Sequence, residues 1–257
     1  MPTPDAVLPQ PTPAARRALQ AARSLAGNDP AQARRLALSL LGQPALHVEA
    51  LAMAIELSRR LGDGPTAAAF ARRAARLAPK SALARVLAAS ALMDAGFPDE
   101  ALSQALAAVA LAPQDIAANL AAVRAALAAD RPAAGLPAAV ALLRAPDCLE
   151  TLRLAAGLLD ACFGGQTWGA AWRDGATVTG CLRRCSPALP EVLVLADDLP
   201  LARVAAAPLA GLPALGGFRL PLPAGLDAAG LKVVRADDGI PLFGSPLAAG
   251  PAEVGHA

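Results

Sequence analysis

"LAPK", Leu77–Lys80, returns as "LAPQ", Leu111–Gln114, at a 34-residue offset. The match extends outward in one register. Gly62 answers Gly96, Ala67 answers Ala101, Ala71 answers Ala105, Ala74 answers Ala108 and Pro79 answers Pro113. Alanine matches come cheaply in this chain, but a glycine, a proline and the small residues between them in one register do not. One step back, "GNDPAQARRLALSLLGQP" keeps Ala33, Ala37 and Leu40 in register, with Pro44 one place early. One step forward, "ADRPAAGLPAAVALLRAP" keeps Ala139 and Leu142, with Pro146 one place early.

The pattern has a physical logic. A glycine between two helices permits a tight turn, small residues let helix backbones approach closely, and a proline stops the second helix before the next unit. Composition agrees, because 55% of the residues are hydrophobic, many of them alanine, while aromatics are only 3%. Alanine has the highest helix propensity and little bulk, so such a chain suits closely packed helices.

Period and residue types together resemble the tetratricopeptide repeat (TPR), a 34-residue helix–turn–helix unit. The resemblance covers about residues 14–147 and is best in the two central units, although the first helices lack the usual Trp and Tyr. "DCLETLRLAAGLLDACF", 147–163, reads as a capping helix over the last apolar face, so the helical domain is expected over 14–163. TPR arrays are binding scaffolds whose concave face is lined by the first helix of each unit. Carried over position by position, the resemblance puts Glu49, Glu56, Arg59, Ser90, Asn119 and Arg124 on that face as partner-binding residues, with ordinary solvated polar side chains as the alternative.

After Gly164-Gly165 the period changes. "QTWGAAW", "ATVTGCL", "EVLVLA", "LPLARVA", "GFRLPLP", "LKVVRA" and "IPLFGSP" are short runs rich in Val and Leu, divided by Asp-Gly or Asp-Asp. These are hairpin signals, and they predict a small antiparallel β-sandwich over 166–248, with prolines at strand ends and edges. The fold class is therefore α+β in two domains. A flexible Pro-rich start over 1–13 and a flexible tail over 249–257 flank them.

"LGGFRLPLP", Leu215–Pro223, followed by "LKVVRADDGIPLFGSPL", Leu231–Leu247, is similar to the end of a β-sandwich module found beside bacterial glycosyltransferase domains. "EVLVLADDLPLARVAA" fits the central hairpin of that module, with Asp197-Asp198 as its turn. The module usually opens with Gly-Trp, another aromatic and an Asp, whereas this chain has "GCLRRCSP" at Gly180–Pro187. Trp168 and Trp172, four apart, are candidates either for stacking on a sugar ring or for the core.

Formal net charge is +2, from 23 basic and 21 acidic residues, too small to argue for nucleic acid or an anionic membrane. No stretch of about 18 uncharged apolar residues suggests a membrane span. The opening "MPTPDAVLPQPTP" has neither a basic n-region nor an apolar h-region, so no signal peptide and a cytoplasmic location are expected. Cys148, Cys162, Cys181 and Cys185 offer one C-x3-C and no paired zinc spacing. There is no G-x-S-x-G, P-loop or H-E-x-x-H, Tyr is absent and His numbers two. A non-catalytic protein with no cofactor and no metal is the expectation. The resemblances imply an adaptor that holds a protein partner in the TPR groove and meets a glycosyltransferase or glycan through the sandwich, in cell-surface polysaccharide production. A general interaction scaffold with no carbohydrate link is the alternative.

Overall fold

The computed structural model describes residues 11–42, 46–144, 148–164, 166–183, 190–223, 226 and 230–247. The expected tail, most of the Pro-rich start and Cys185 lie outside the described residues. The chain divides into two compact units, 1–141 and 142–257.

The first unit is helical. Its elements are α1 (Pro13–Leu25), α2 (Pro30–Ser39), α3 (His47–Arg60), α4 (Gly64–Leu77), α5 (Ala82–Asp94), α6 (Pro98–Leu111), α7 (Ile116–Ala128), a 3-10 turn (Pro132–Gly135) and α8 (Leu136–Arg144), whose last three residues fall in the second unit. The 34-residue period is therefore geometric as well as chemical. Helices α4 and α6 begin one full period apart and end one period apart, at the two copies of the opening motif; α5 and α7 begin at the same offset. Helices α1 to α7 each touch the next, and α5 also touches α3 and α7, so first helices lie beside first helices.

Each boundary has a local cause. Asp29, Asp63, Ser81 and Asp115 accept the N–H groups that open α2, α4, α5 and α7, supplying acceptors for donors that a helix leaves orphaned. Asp63 also accepts from the Arg34 guanidinium at 2.7 Å. Hydrogen bonding to Thr66 first, and then to Arg34, holds its carboxyl below the ordinary range.

The inter-helix turns repeat too. The N–H of Asp63 donates to Ser58 O at 2.9 Å and that of Gly62 to Arg59 O at 3.0 Å. Phe97 and Gly96 do the same to Leu92 and Met93. This crossed pair is the Schellman closure, which puts the residue past the C-cap into the left-handed region. Gly62 has φ +71° and Gly96 φ +81°. The third copy of the turn, with Arg131 bonded to Ala126 O and Asp130 to Leu127 O, places Asp130 at that position with φ +53°.

Between these turns the helices meet through methyl groups. Ala67, Ala71, Ala101, Ala105 and Ala108 are 0% exposed and Ala74 2%. Leu51, Ile55, Ala67, Ala71, Ala74, Ala75, Ala88 and Ala91 form one cluster from α3, α4 and α5.

Among the described residues, the second unit holds α9 (Leu149–Phe163) and seven strands: β1 (Gly169–Asp174), β2 (Thr177–Arg183), β3 (Glu191–Ala196), β4 (Leu199–Ala205), β5 (Ala207–Leu209), β6 (Leu212–Pro221) and β7 (Lys232–Arg235). They form two antiparallel sheets, β1-β2-β6-β5 and β4-β3-β7. Val178, Leu182 and Phe218 of the first sheet share one core with Val192, Val194 and Val233 of the second. Phe218 lies opposite Gly180, where an added Cβ would come within 2.3 Å of its ring. The Asp197-Asp198 turn is as predicted, with both residues at positive φ, the geometry that a two-residue hairpin requires.

Three elements differ from expectation, the first being the short β5, which lies in none of the runs read as strands. "IPLFGSP" forms no strand but two isolated bridges, Val234 with Pro241 and Ala170 with Phe243. Helix α9, read as the cap of the helical array, falls in the second unit. There Asp160 Oδ1 accepts from Trp168 Nε1 and from an Arg183 guanidinium nitrogen, each at 2.6 Å. A polar latch to the strand segment binds this helix where apolar spacing alone suggested a cap.

Replacing Asp130 by Gly is expected to raise stability by up to about 1 kcal/mol, because glycine adopts this backbone without Cβ strain. Gly96→Ala, with open space around the new methyl, is expected to lower it by a similar amount. Urea unfolding midpoints of both variants check this.

Candidate functional site

Along the first helices, positions equivalent under the 34-residue period form rows. Glu56, Ser90 and Arg124 are one such row, on α3, α5 and α7; Val86 and Leu120 belong to another. Arg59, Val86, Ala89, Ser90, Met93, Asp94, Ala117, Leu120, Ala121 and Arg124 line a hollow of about 340 Å³. Every lining residue comes from a first helix. A second, smaller hollow of about 250 Å³ opens between α1 and α3, lined by Arg23, Ala26, Met53, Glu56, Leu57 and Arg60.

Of the six residues expected on this face, Arg59, Ser90 and Arg124 line the larger hollow and Glu56 the smaller. Glu49 stands beside them, half exposed, its carboxylate 3.4 Å from Arg23 on α1. Asn119 is placed differently. It is 2% exposed, and its side-chain N–H group donates to Pro113 O and Asp115 O, both at 2.9 Å. It braces the "LAPQ" turn from inside and does not line the hollow. Its Oδ1 is buried without a hydrogen-bond partner among the described residues.

Charge on the face is nearly all internally compensated. Arg59 bonds Asp94 on α5 through Nε and Glu56 at 3.2 Å through a terminal nitrogen. Glu56 also accepts from Arg60 at 3.2 Å. Such half-exposed pairs contribute about 0–1 kcal/mol each, so their main effect is to set the field over the groove. Arg124 is exposed and has no ion pair among the described residues.

The reading of the sequence weighed polar residues and missed the apolar floor: Val86, Met93, Leu120 and Ala121. The signal was available, since residues three and four from Ser90 and Arg124 on a helix share their face.

In the second unit, Trp168 is 3% and Trp172 8% exposed. Trp168 spends its N–H on Asp160. Trp172 lies in register with Thr179, and Thr179 with Arg219, on one face of the four-stranded sheet. These three, with Leu152, Cys181 and Leu209, help to line a hollow of about 590 Å³. Thr179 Oγ1 is buried there without a partner among the described residues. Burial of the two indoles matches the core alternative.

Burial pushes the Cys181 thiol up to about 12, far above what a nucleophilic thiolate needs at neutral pH. No cluster of three metal-ligating side chains occurs among the described residues. No helix of the described residues is long and apolar enough to cross a membrane.

No protein-family model and no curated protein matches the chain. Solved structures do match. MamA from Desulfovibrio magneticus RS-1, from residue 41 to its end, aligns at 19% identity over 60% of this chain and 88% of that one, with a TM-score of 0.51. YrrB, described as a TPR protein with an unusual peptide-binding site, aligns at 21% identity over 55% of this chain and 73% of its own, with a TM-score of 0.47. TTC0263, a TPR protein of Thermus thermophilus, aligns at 18% identity over 56% and 81%, with a TM-score of 0.45. The likeness is one of fold and covers about 55–60% of this chain.

Thiol titration of the folded protein with Ellman's reagent is expected to find Cys148, which is exposed, reactive and Cys181 silent until denaturant is added. Cys181→Ser should leave the native titration unchanged, whereas Cys148→Ser should lower it by one fast-reacting thiol.

Proposed function

We propose that this protein is a non-catalytic interaction scaffold that receives a segment of a protein partner in the hollow across α3, α5 and α7. The observation that carries the reading is the hollow itself. Helices α5 and α7 supply an apolar floor, and Arg59 of α3 joins Ser90, Asp94 and Arg124 as its polar residues. Apolar clefts with a few convergent polar groups are the usual form of a binding site. Glu49 and Glu56 would meet the same partner nearer α1. The face is poor in aromatic anchors, so affinity for any one segment would be modest, and interchangeable partners suit it better than a single tight ligand.

A second reading concerns the strands. The likeness of Leu215–Pro223 and Leu231–Leu247 to a module beside bacterial glycosyltransferases favours a contact of the second unit with a glycosyltransferase or glycan, in polysaccharide production. The hollow beside Trp172 would be the place for it.

One experiment addresses both. Ala117 is exposed at the edge of the first-helix hollow, so Ala117→Trp is expected to fill the hollow without unfolding the chain. Partners captured by the wild-type protein from its own cells and identified by mass spectrometry should be lost, by about tenfold or more in yield, with Ala117→Trp. An identical set from both proteins would remove the hollow as the site. Glycosyltransferases among the captured proteins support the second reading, and their absence counts against it.

A further inference from the structure

We infer that the segment seated in the first-helix hollow presents an acidic side chain, Asp or Glu, to Arg124, with apolar side chains on the floor next to it. This rests on the reading of the hollow as the binding site and names the chemistry of its occupant.

The charged residues lining the hollow are Arg59, Asp94 and Arg124. Arg59 is spoken for: Asp94 and Glu56 both hold it. Glu56 is in turn shared with Arg60, and Glu49, further along the face, is paired with Arg23. Along the equivalent row Glu56, Ser90, Arg124, the face therefore runs from a neutralised carboxylate through a hydroxyl to an unopposed guanidinium. Among the described residues lining the hollow, the uncompensated charge is positive and lies at the α7 end.

A neutral or basic segment would cover Arg124 and strip its water with nothing in return, at a cost that grows with burial. A carboxylate offers two oxygens to the planar donor fork, the arrangement that arginine binds best. The neighbouring Val86, Met93, Leu120 and Ala121 then take apolar side chains, and the unbranched Met93 adapts its shape to them.

The test uses a displayed library of random linear twelve-residue peptides, selected on full-length wild-type protein and on the Arg124→Glu, Arg124→Lys and Ala117→Trp variants. Far-ultraviolet circular dichroism confirms that each variant is folded. Wild-type selections should be enriched in Asp and Glu next to apolar residues. Arg124→Lys should keep that bias, and Arg124→Glu should turn it towards Lys and Arg. The best wild-type peptide should bind Arg124→Glu about five- to tenfold more weakly, with the difference shrinking as salt rises. Peptides that need the hollow, being lost with Ala117→Trp, but show no acidic bias and bind Arg124→Glu equally well would overturn the acidic partner and leave the hollow standing. A wild-type protein that selects no peptide dependent on Ala117 would overturn both.

Discussion

Helix-to-helix contact through alanine is the constraint on which the helical unit depends. Ala67, Ala71 and Ala74 on α4 and their counterparts Ala101, Ala105 and Ala108 on α6 are all buried. A methyl group at each of these places sets how near the backbones come, and any larger side chain would force them apart at about 1–3 kcal/mol. Because little apolar area is gained per alanine, the unit draws on helix propensity, on side-chain caps at Asp29, Asp63, Ser81 and Asp115, and on a repeated turn closure. The Schellman turns after α3, α5 and α7 hold each hairpin at one geometry, so that equivalent residues fall into rows.

Those rows are what give the unit a chemical face. With the buried stripe of each helix committed to packing against its neighbours, other positions of α3, α5 and α7 share one surface. Successive repeats supply different residues to the same row, here Glu56, Ser90 and Arg124. Ion pairs between neighbouring first helices, Arg23 with Glu49 and Arg59 with Asp94, cancel charge along most of it. Packing thus decides where the groove lies, and the unmatched end of the charge ladder decides what it prefers.

Much of the helical unit was legible in its sequence because a 34-residue repeat of Gly, Ala and Pro suits few folds besides stacked helical hairpins. The left-handed Asp130 was not, since an aspartate tolerates that backbone without advertising it. Asn119 misled because a polar residue at a first-helix position is as ready to brace a turn from inside as to face a ligand. Helix α9 carries the same apolar spacing whichever unit it joins; Asp160, bonded to Trp168 and Arg183, and Leu149, packed beside Gly211, tie it to the strand segment, and those contacts follow from no local pattern. In the strands, alternation and turn residues located β1 to β4, β7 and the C-terminal half of β6. The three-residue β5 is too short to carry a period, and "IPLFGSP" has strand composition but makes only bridges.

The central claim is that partners meet this protein on the first-helix face across α3, α5 and α7. Photo-crosslinking reads that directly. A benzophenone amino acid would be placed in turn at Ser90 and Ala117 on the face, and at Leu106, an exposed position of the second helix α6. Irradiation in the protein's own cells should join partner to protein from positions 90 and 117 and not from 106. Crosslinks from position 106 with none from 90 or 117 would contradict the account.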